Sequence, residues 1–209
     1  MKKVNITSDV NQAAQFLADS GVIVFPTETF FALGGLGISI PTVQRVAAIK
    51  SRPDNKPLPL VAGSFEQVQM AVELSPDEIK LGRQFWPGPL SILTRARTKV
   101  PLGIKDGQGL VSIRVTPHPD AARLCLKAGF PLIATSANLS GGPSCADVEL
   151  LDPVIMSKAD LIFSTSNTPP GGKASTLVRM IGPDTLKVYR AGAMSSDELE
   201  RKGWKVQSL

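Results

Sequence analysis

Short apolar runs recur along this chain, each separated from the next by a stretch of helical spacing, and that alternation restricts the fold more than any other feature. Val22-Ile23-Val24-Phe25 and the segments 58–62, 90–94, 110–115, 131–134, 161–163, 176–178 and 186–189 read as strands. Helical patterns cover 8–20, 41–49, 64–74, 118–128, 147–158 and 196–202, and Ser75-Pro76-Asp77-Glu78 opens a further helix as a capping box. Strands alternating with helices predict an α/β fold. At 209 residues and 43% apolar content the chain has material for one substantial core, so a single domain over 1–209 is expected, with its core at about 8–192 and a short helical tail. Pro59 predicts an edge or irregular place for the 58–62 strand.

The stretch from Pro26 to Pro57 concentrates the chemistry. Thr27, Glu28 and Thr29 emerge directly after the Val22-to-Phe25 strand, and the carboxyl ends of strands are where open α/β sheets bind ligands. Lys50, Arg52 and Lys56 follow the 41–49 helix within seven residues, beside Pro53 and Pro57. Three cations on a turn stiffened by proline suit a polyanion such as a nucleotide triphosphate. The plainer readings are helix capping by the hydroxyls and solvation of a helix end by the cations.

Other chemistries are disfavoured by what is missing. The single histidine, His118, rules out a histidine-rich metal site, and its place between two prolines suits a turn or helix cap better than a general base. Cys125 and Cys145 are too few for a disulfide framework. Pro170-Gly171-Gly172-Lys173 lacks the spacing of a phosphate loop, and Gly35-Leu36-Gly37 lacks the third glycine of a dinucleotide fingerprint. No stretch has the length of a membrane span or the apolar core of a signal peptide, so a cytoplasmic protein is expected. A net charge of +5 favours phosphate-bearing partners, although no basic run stands out.

Five ordered blocks then carry a resemblance. They are Pro26-Thr27-Glu28-Thr29-Phe30-Phe31-Ala32-Leu33-Gly34, Lys50-Ser51-Arg52-Pro53-Asp54-Asn55-Lys56-Pro57, Trp86-Pro87-Gly88-Pro89, Ile113-Arg114-Val115-Thr116-Pro117-His118-Pro119 and Ser136-Ala137-Asn138-Leu139-Ser140-Gly141. Ser175-Thr176 and Tyr189-Arg190-Ala191-Gly192 extend the pattern. Together they resemble the YrdC-like family, whose members make threonylcarbamoyl-AMP and pyrophosphate from L-threonine, bicarbonate or carbon dioxide, and ATP, for tRNA modification.

The resemblance implies a twisted, mixed parallel and antiparallel sheet flanked by helices, with a deep basic cleft. By motif match Thr27, Arg114, Ser136 and Ser175 would contact L-threonine. Lys50, Arg52, Lys56, Asn138, Ser144 and Arg190 would contact ATP, with Lys50 and Arg52 as the catalytic cations. Mg²⁺ would arrive with ATP and take no assigned protein ligand. A separate transferase complex would use the product, and direct contact with tRNA stays open. The block at Trp86 is assigned to structure.

The chain departs from the family pattern at Phe31, where tyrosine is frequent, at Ala32, where glycine is frequent, at Val61, near which some relatives have histidine, and at Arg179, where aspartate is common. A paralogue with another substrate therefore remains an alternative, as does a non-enzymatic basic RNA-binding module. A carbamoyl-AMP-forming domain of hydrogenase maturation is a third reading. The length of the chain resembles the family's short form, without the extra carboxyl-terminal domain.

Overall fold

A computed structural model describes residues 5–51, 56–139 and 141–207. The expected mixed sheet is divided in two. The smaller has five strands in the order Asn5–Thr7, Leu161–Phe163, Ile23–Phe25, Ala32–Gly34 and Thr135–Ser136. Its first three strands are parallel and the last two join antiparallel. The larger has eight strands and runs Lys205–Gln207, Thr185–Arg190, Thr176–Gly182, Leu90–Ala96, Leu110–Val115, Leu60–Ala62 and Leu132–Ile133, with Val72–Glu73 added beside Leu90–Ala96.

One segment stitches the sheets together. Leu132 and Ile133 pair with Val61 and Leu60 of the larger sheet, and only two residues later Thr135 and Ser136 pair with Leu33 and Ala32 of the smaller one. The chain thus changes sheets at Ala134 and delivers Ser136 to the place where they part. Gly34 permits this junction, because a Cβ built there would lie 1.7 Å from the Ile133 carbonyl oxygen. The obstacle is backbone and cannot rotate away. Gly34→Ala is therefore expected to destabilise the fold by about 2–3 kcal/mol, read as a lower midpoint of chemical denaturation.

Two apolar clusters hold the layers. One gathers Leu33, Leu60, Ile92, Val111, Ile113 and Val178 with Trp86. The other packs helices Val10–Ala18 and Pro119–Ala128 through Val10, Leu17, Ala121 and Leu124 onto Phe25 and Phe163 of the smaller sheet. Trp86 anchors its block as expected: its indole Nε1 donates to Leu90 O at 2.7 Å, and its ring meets Phe65 edge-on. His118 also does what its setting suggested. It caps helix Pro119–Ala128, accepting at Nδ1 from the Ala121 amide, while Nε2 donates to Asn167 O at 3.0 Å.

Several elements differ from the sequence expectation, each for a local reason. The helix expected over 147–158 is a 3-10 turn, Val148–Leu150, followed by helix Pro153–Lys158. Pro153 forces Asp152 out of the helical region, and Asp152 then caps the second piece. The helix expected over 64–74 ends at Ala71, because Val72 and Glu73 pair with Ala96 and Arg95. The Leu60–Ala62 strand is not at an edge, since it lies between Leu110–Val115 and Leu132–Ile133, and Pro59 stands just ahead of the ladder. Besides Val72–Glu73, four strands were not anticipated: Asn5–Thr7, Ala32–Gly34 and Lys205–Gln207, each of three residues, and the two-residue Thr135–Ser136. Among the described residues no helix is long and apolar enough to cross a membrane.

Candidate active site

The turn after strand Ile23–Phe25 is the first wall of the site. Thr27 Oγ1 donates to Phe30 O at 2.7 Å, and the Thr27 amide reaches the same carbonyl, which folds the chain back into strand Ala32–Gly34. Ala32 thus sits in extended backbone, where the freedom of glycine is not needed. Thr27 faces a cavity of about 250 Å³, whose lining also includes Phe31, Arg114, Ser136, Ser175 and Arg190. Residues of both sheets contribute, so the cavity opens where the two sheets separate.

Two guanidinium groups set its electrostatics. Arg114, on strand Leu110–Val115, donates through Nε to Glu28 Oε1 at 2.7 Å, and Thr116 Oγ1 donates to Glu28 Oε2 at 2.7 Å. Both charged side chains of the pair are over nine-tenths buried. Among the described residues the terminal nitrogens of Arg114 have no protein partner. Arg190 ends strand Thr185–Arg190 and is fastened to Ser175, by Nε to the carbonyl at 3.0 Å and by a terminal nitrogen to Oγ at 2.9 Å. Ser175 Oγ is also 3.0 Å from Ser91 Oγ. Loss of water inside the cleft, followed by the neighbouring charge of Arg114, lowers the Arg190 pKa, although a guanidinium stays cationic in any ordinary solution.

Burial alone would raise the Glu28 pKa, but the charge of Arg114 and the hydrogen bonds from Thr116 and Arg114 outweigh it and hold the carboxyl below the usual glutamate value. A depressed carboxyl stabilises the fold in full above its unfolded value near 4.5, and that contribution is lost as pH falls through the lower folded value. The stability gap between the parent chain and Glu28→Gln should therefore be largest near neutrality and shrink as denaturation is repeated below about pH 4.5.

Lys50 is placed one layer behind the cavity wall. It caps the carboxyl end of helix Ile40–Ile49 and is buried. Its ammonium donates to Ser136 O at 2.7 Å, to Asn138 O, and to Asn138 Oδ1 at 3.2 Å. Asn138 in turn donates through Nδ2 to Leu139 O at 2.9 Å and to Gly142 O, bracing the loop that carries Ser144. Ser144 lies on the exposed rim of the cavity, and the loop is tied to the first wall by the Phe31 amide donating to Cys145 O at 2.8 Å.

Of the ten residues expected from sequence, Thr27, Arg114, Ser136, Ser144, Ser175 and Arg190 line one cavity. Lys50 and Asn138 support its wall from behind. Lys56 is exposed and is not among the lining residues. Arg52 lies outside the described residues. A deep basic cleft is not shown: among the described residues the cavity is compact and has two guanidiniums in its lining, one of them matched by Glu28. Phe31 packs on the cavity with a fully buried ring, while Val61 lies beside Arg114 in the sheet. From sequence Glu28 is placed at the ligand-binding end of its strand but given no role, and Ser91 and Thr116 are not singled out. Glu28 sits inside the Pro26 block, and Ser91 is a hydroxyl within an otherwise apolar strand, so each left a signal without a partner to explain it.

The family model Sua5/YciO/YrdC, described as telomere recombination, matches residues 15–192. The chain belongs to this family. The match spans every candidate residue from Thr27 to Arg190 and takes in the strands of both sheets except the edge strands Asn5–Thr7 and Lys205–Gln207. A threonylcarbamoyl-AMP synthase of Pyrococcus abyssi is 30% identical over 190 residues, 90% of this chain but 55% of that relative. A Vibrio vulnificus protein of the same name is 32% identical over 161 residues, 76% of this chain and 87% of its own length. The structure of Pyrococcus abyssi Sua5 complexed with L-threonine matches at 28% identity with a TM-score of 0.85, covering 98% of this chain and 62% of that one. Escherichia coli YciO shares the fold, with a TM-score of 0.78 at 23% identity. This family member thus spans little more than half the length of the Pyrococcus abyssi relative.

Proposed function

We propose that the chain is a threonylcarbamoyl-AMP synthase. The observation that carries this reading is the convergence of two guanidiniums and several hydroxyls on one small cavity, with the terminal nitrogens of Arg114 left for a ligand. At about 250 Å³ the cavity is below the usual range of about 300–1,000 Å³ for drug-sized ligands, so it suits an amino acid better than a whole nucleotide. The relatives named above carry the same activity in their names, and the Pyrococcus abyssi protein was solved with L-threonine.

In this reading the threonine carboxylate takes the two terminal nitrogens of Arg114 as a fork, and Thr27 and Ser136 surround the amino acid. Its amino nitrogen forms a bond to the carbon of bicarbonate or carbon dioxide; from bicarbonate, water is lost. A carbamate oxygen then attacks the α-phosphorus of MgATP, the bond to the bridging oxygen breaks, and pyrophosphate leaves with the electron pair. Among the described residues the cavity lining offers hydroxyls and no carboxylate, and in this reading magnesium enters as part of the nucleotide, held by its phosphates. The reaction needs no covalent nucleophile. It needs alignment of two anionic reactants, and fixed cations to offset their charge, which is how preorganised sites act. Arg190 is fixed by Ser175 at the rim, and Lys50, Arg52 and Lys56 supply charge toward the phosphates. We place the reaction in the cytoplasm and its product with a transferase acting on tRNA.

The test is pyrophosphate release from MgATP by the purified chain with L-threonine, L-serine, L-valine or no amino acid, each with and without bicarbonate. Release that requires both threonine and bicarbonate is expected. Release with no amino-acid dependence, or RNA binding alone, would overturn the assignment in favour of a paralogue or a binding module.

A further inference from the structure

Glu28 stands outside the direct contacts of the proposed reaction, yet it is the group that decides how Arg114 is presented. It reaches from the turn of the smaller sheet to Arg114 on the larger one, so the pair spans the gap that forms the cavity. The contact is made at Nε, on the side of the guanidinium, and this choice matters. A carboxylate that gripped the terminal nitrogens would occupy the fork that a ligand carboxylate needs. A side-on contact fixes the plane of the group and leaves the fork open.

The other carboxylate oxygen is fixed as well. Thr116 Oγ1 donates to Glu28 Oε2, and the same hydroxyl accepts from the His118 amide at 3.1 Å, at the start of helix Pro119–Ala128. Arg114 is thereby aimed through a chain of contacts that ends in a helix cap. Each member is buried or nearly so, which leaves little room for the side chains to adopt another arrangement.

We infer that Glu28 is a positioning residue whose role is to hold Arg114 side-on as the receptor for a substrate carboxylate, with Thr116 holding Glu28. The inference rests on the proposed synthase reading for the identity of the substrate, but the carboxylate selectivity it describes belongs to the cavity itself.

The experiment measures pyrophosphate release and, separately, calorimetric binding of L-threonine and of L-threoninol, which lacks the carboxylate. Glu28→Ala should raise the KM for threonine by about tenfold or more, leave the KM for MgATP within about threefold, and collapse the binding preference for threonine over threoninol. Glu28→Gln retains an acceptor for Nε and should restore threonine binding to within about threefold of the parent. A role confined to folding would instead weaken both substrates alike in folded Glu28→Ala, whatever the stability of either variant, and that pattern overturns the inference. So would a folded Glu28→Ala chain that keeps the threonine KM and the carboxylate preference. If Glu28→Ala does not fold, Thr116→Val provides the second arm, with a smaller shift in the same direction expected and an unchanged preference contradicting it. If the parent chain binds threonine but turns over no ATP, the synthase reading fails while the loss of preference in Glu28→Ala still upholds Glu28; a parent chain with no preference for the carboxylate overturns both.

Discussion

Arg114→Lys lowers kcat/KM for L-threonine by about a hundredfold, with most of the loss in KM. The guanidinium offers two parallel donors to a carboxylate while its Nε stays on Glu28, and an ammonium on a flexible stem cannot make both contacts in one geometry. Losing one charge-assisted hydrogen bond costs about 1.5–3 kcal/mol, and 3 kcal/mol corresponds to roughly two orders of magnitude in rate. The carboxylate takes no part in the bonds made or broken and is held alike in ground and transition states, so the loss appears as weaker binding. Lysine keeps a positive charge near Glu28, which limits damage to the fold. Steady-state kinetics at varied threonine check this, and a variant within about threefold of the parent would remove Arg114 from the site.

Lys50→Met is expected to impair both turnover and stability. The sequence reading treats Lys50 as a phosphate-contacting catalytic cation. The structure instead has its ammonium as a shared donor to Ser136 O, Asn138 O and Asn138 Oδ1, in the turn that delivers Ser136 to the cavity. Removing that donor from a buried turn should cost about 3 kcal/mol, because buried carbonyl oxygens lose a charged partner. For a chain of this size the cost corresponds to a melting temperature lower by about 6–12 °C. Turnover should fall at least about a hundredfold, since both the charge and the alignment of Ser136 are lost. Calorimetry and pyrophosphate release on the same preparation separate the effects. An unchanged melting temperature would mean that Lys50 does not hold the turn, and unchanged turnover would mean that its charge is not used.

These two residues also show what the sequence alone could and could not convey. Arg114 was legible because its block is continuous, and its neighbours in the chain define a strand whose direction places the side chain. Its partner Glu28 was not, because the pair joins residues 86 positions apart and belongs to two different sheets. The alternation of strands and helices was legible from apolar runs. The division into two sheets was not, because it depends on a single change of partner at Ala134, and residues 131–134 read simply as one apolar strand. Short strands such as Ala32–Gly34 carry too few residues for alternation to show, and they exist only through pairing with distant segments. Lys50 was correctly singled out by its block, but charge and spacing cannot distinguish an ammonium that meets a ligand from one that holds a turn.

The identity of the product tests the synthase assignment most directly. Incubation of the chain with MgATP, L-threonine and isotopically labelled bicarbonate, followed by mass spectrometry and pyrophosphate measurement on one sample, should yield an AMP adduct of threonine that contains one labelled carbon, with pyrophosphate in equal amount. An unlabelled threonyl adenylate would show that the amino acid's own carboxylate attacks phosphorus. That result would contradict a carboxylate held on Arg114, and with it the assignment of the cavity.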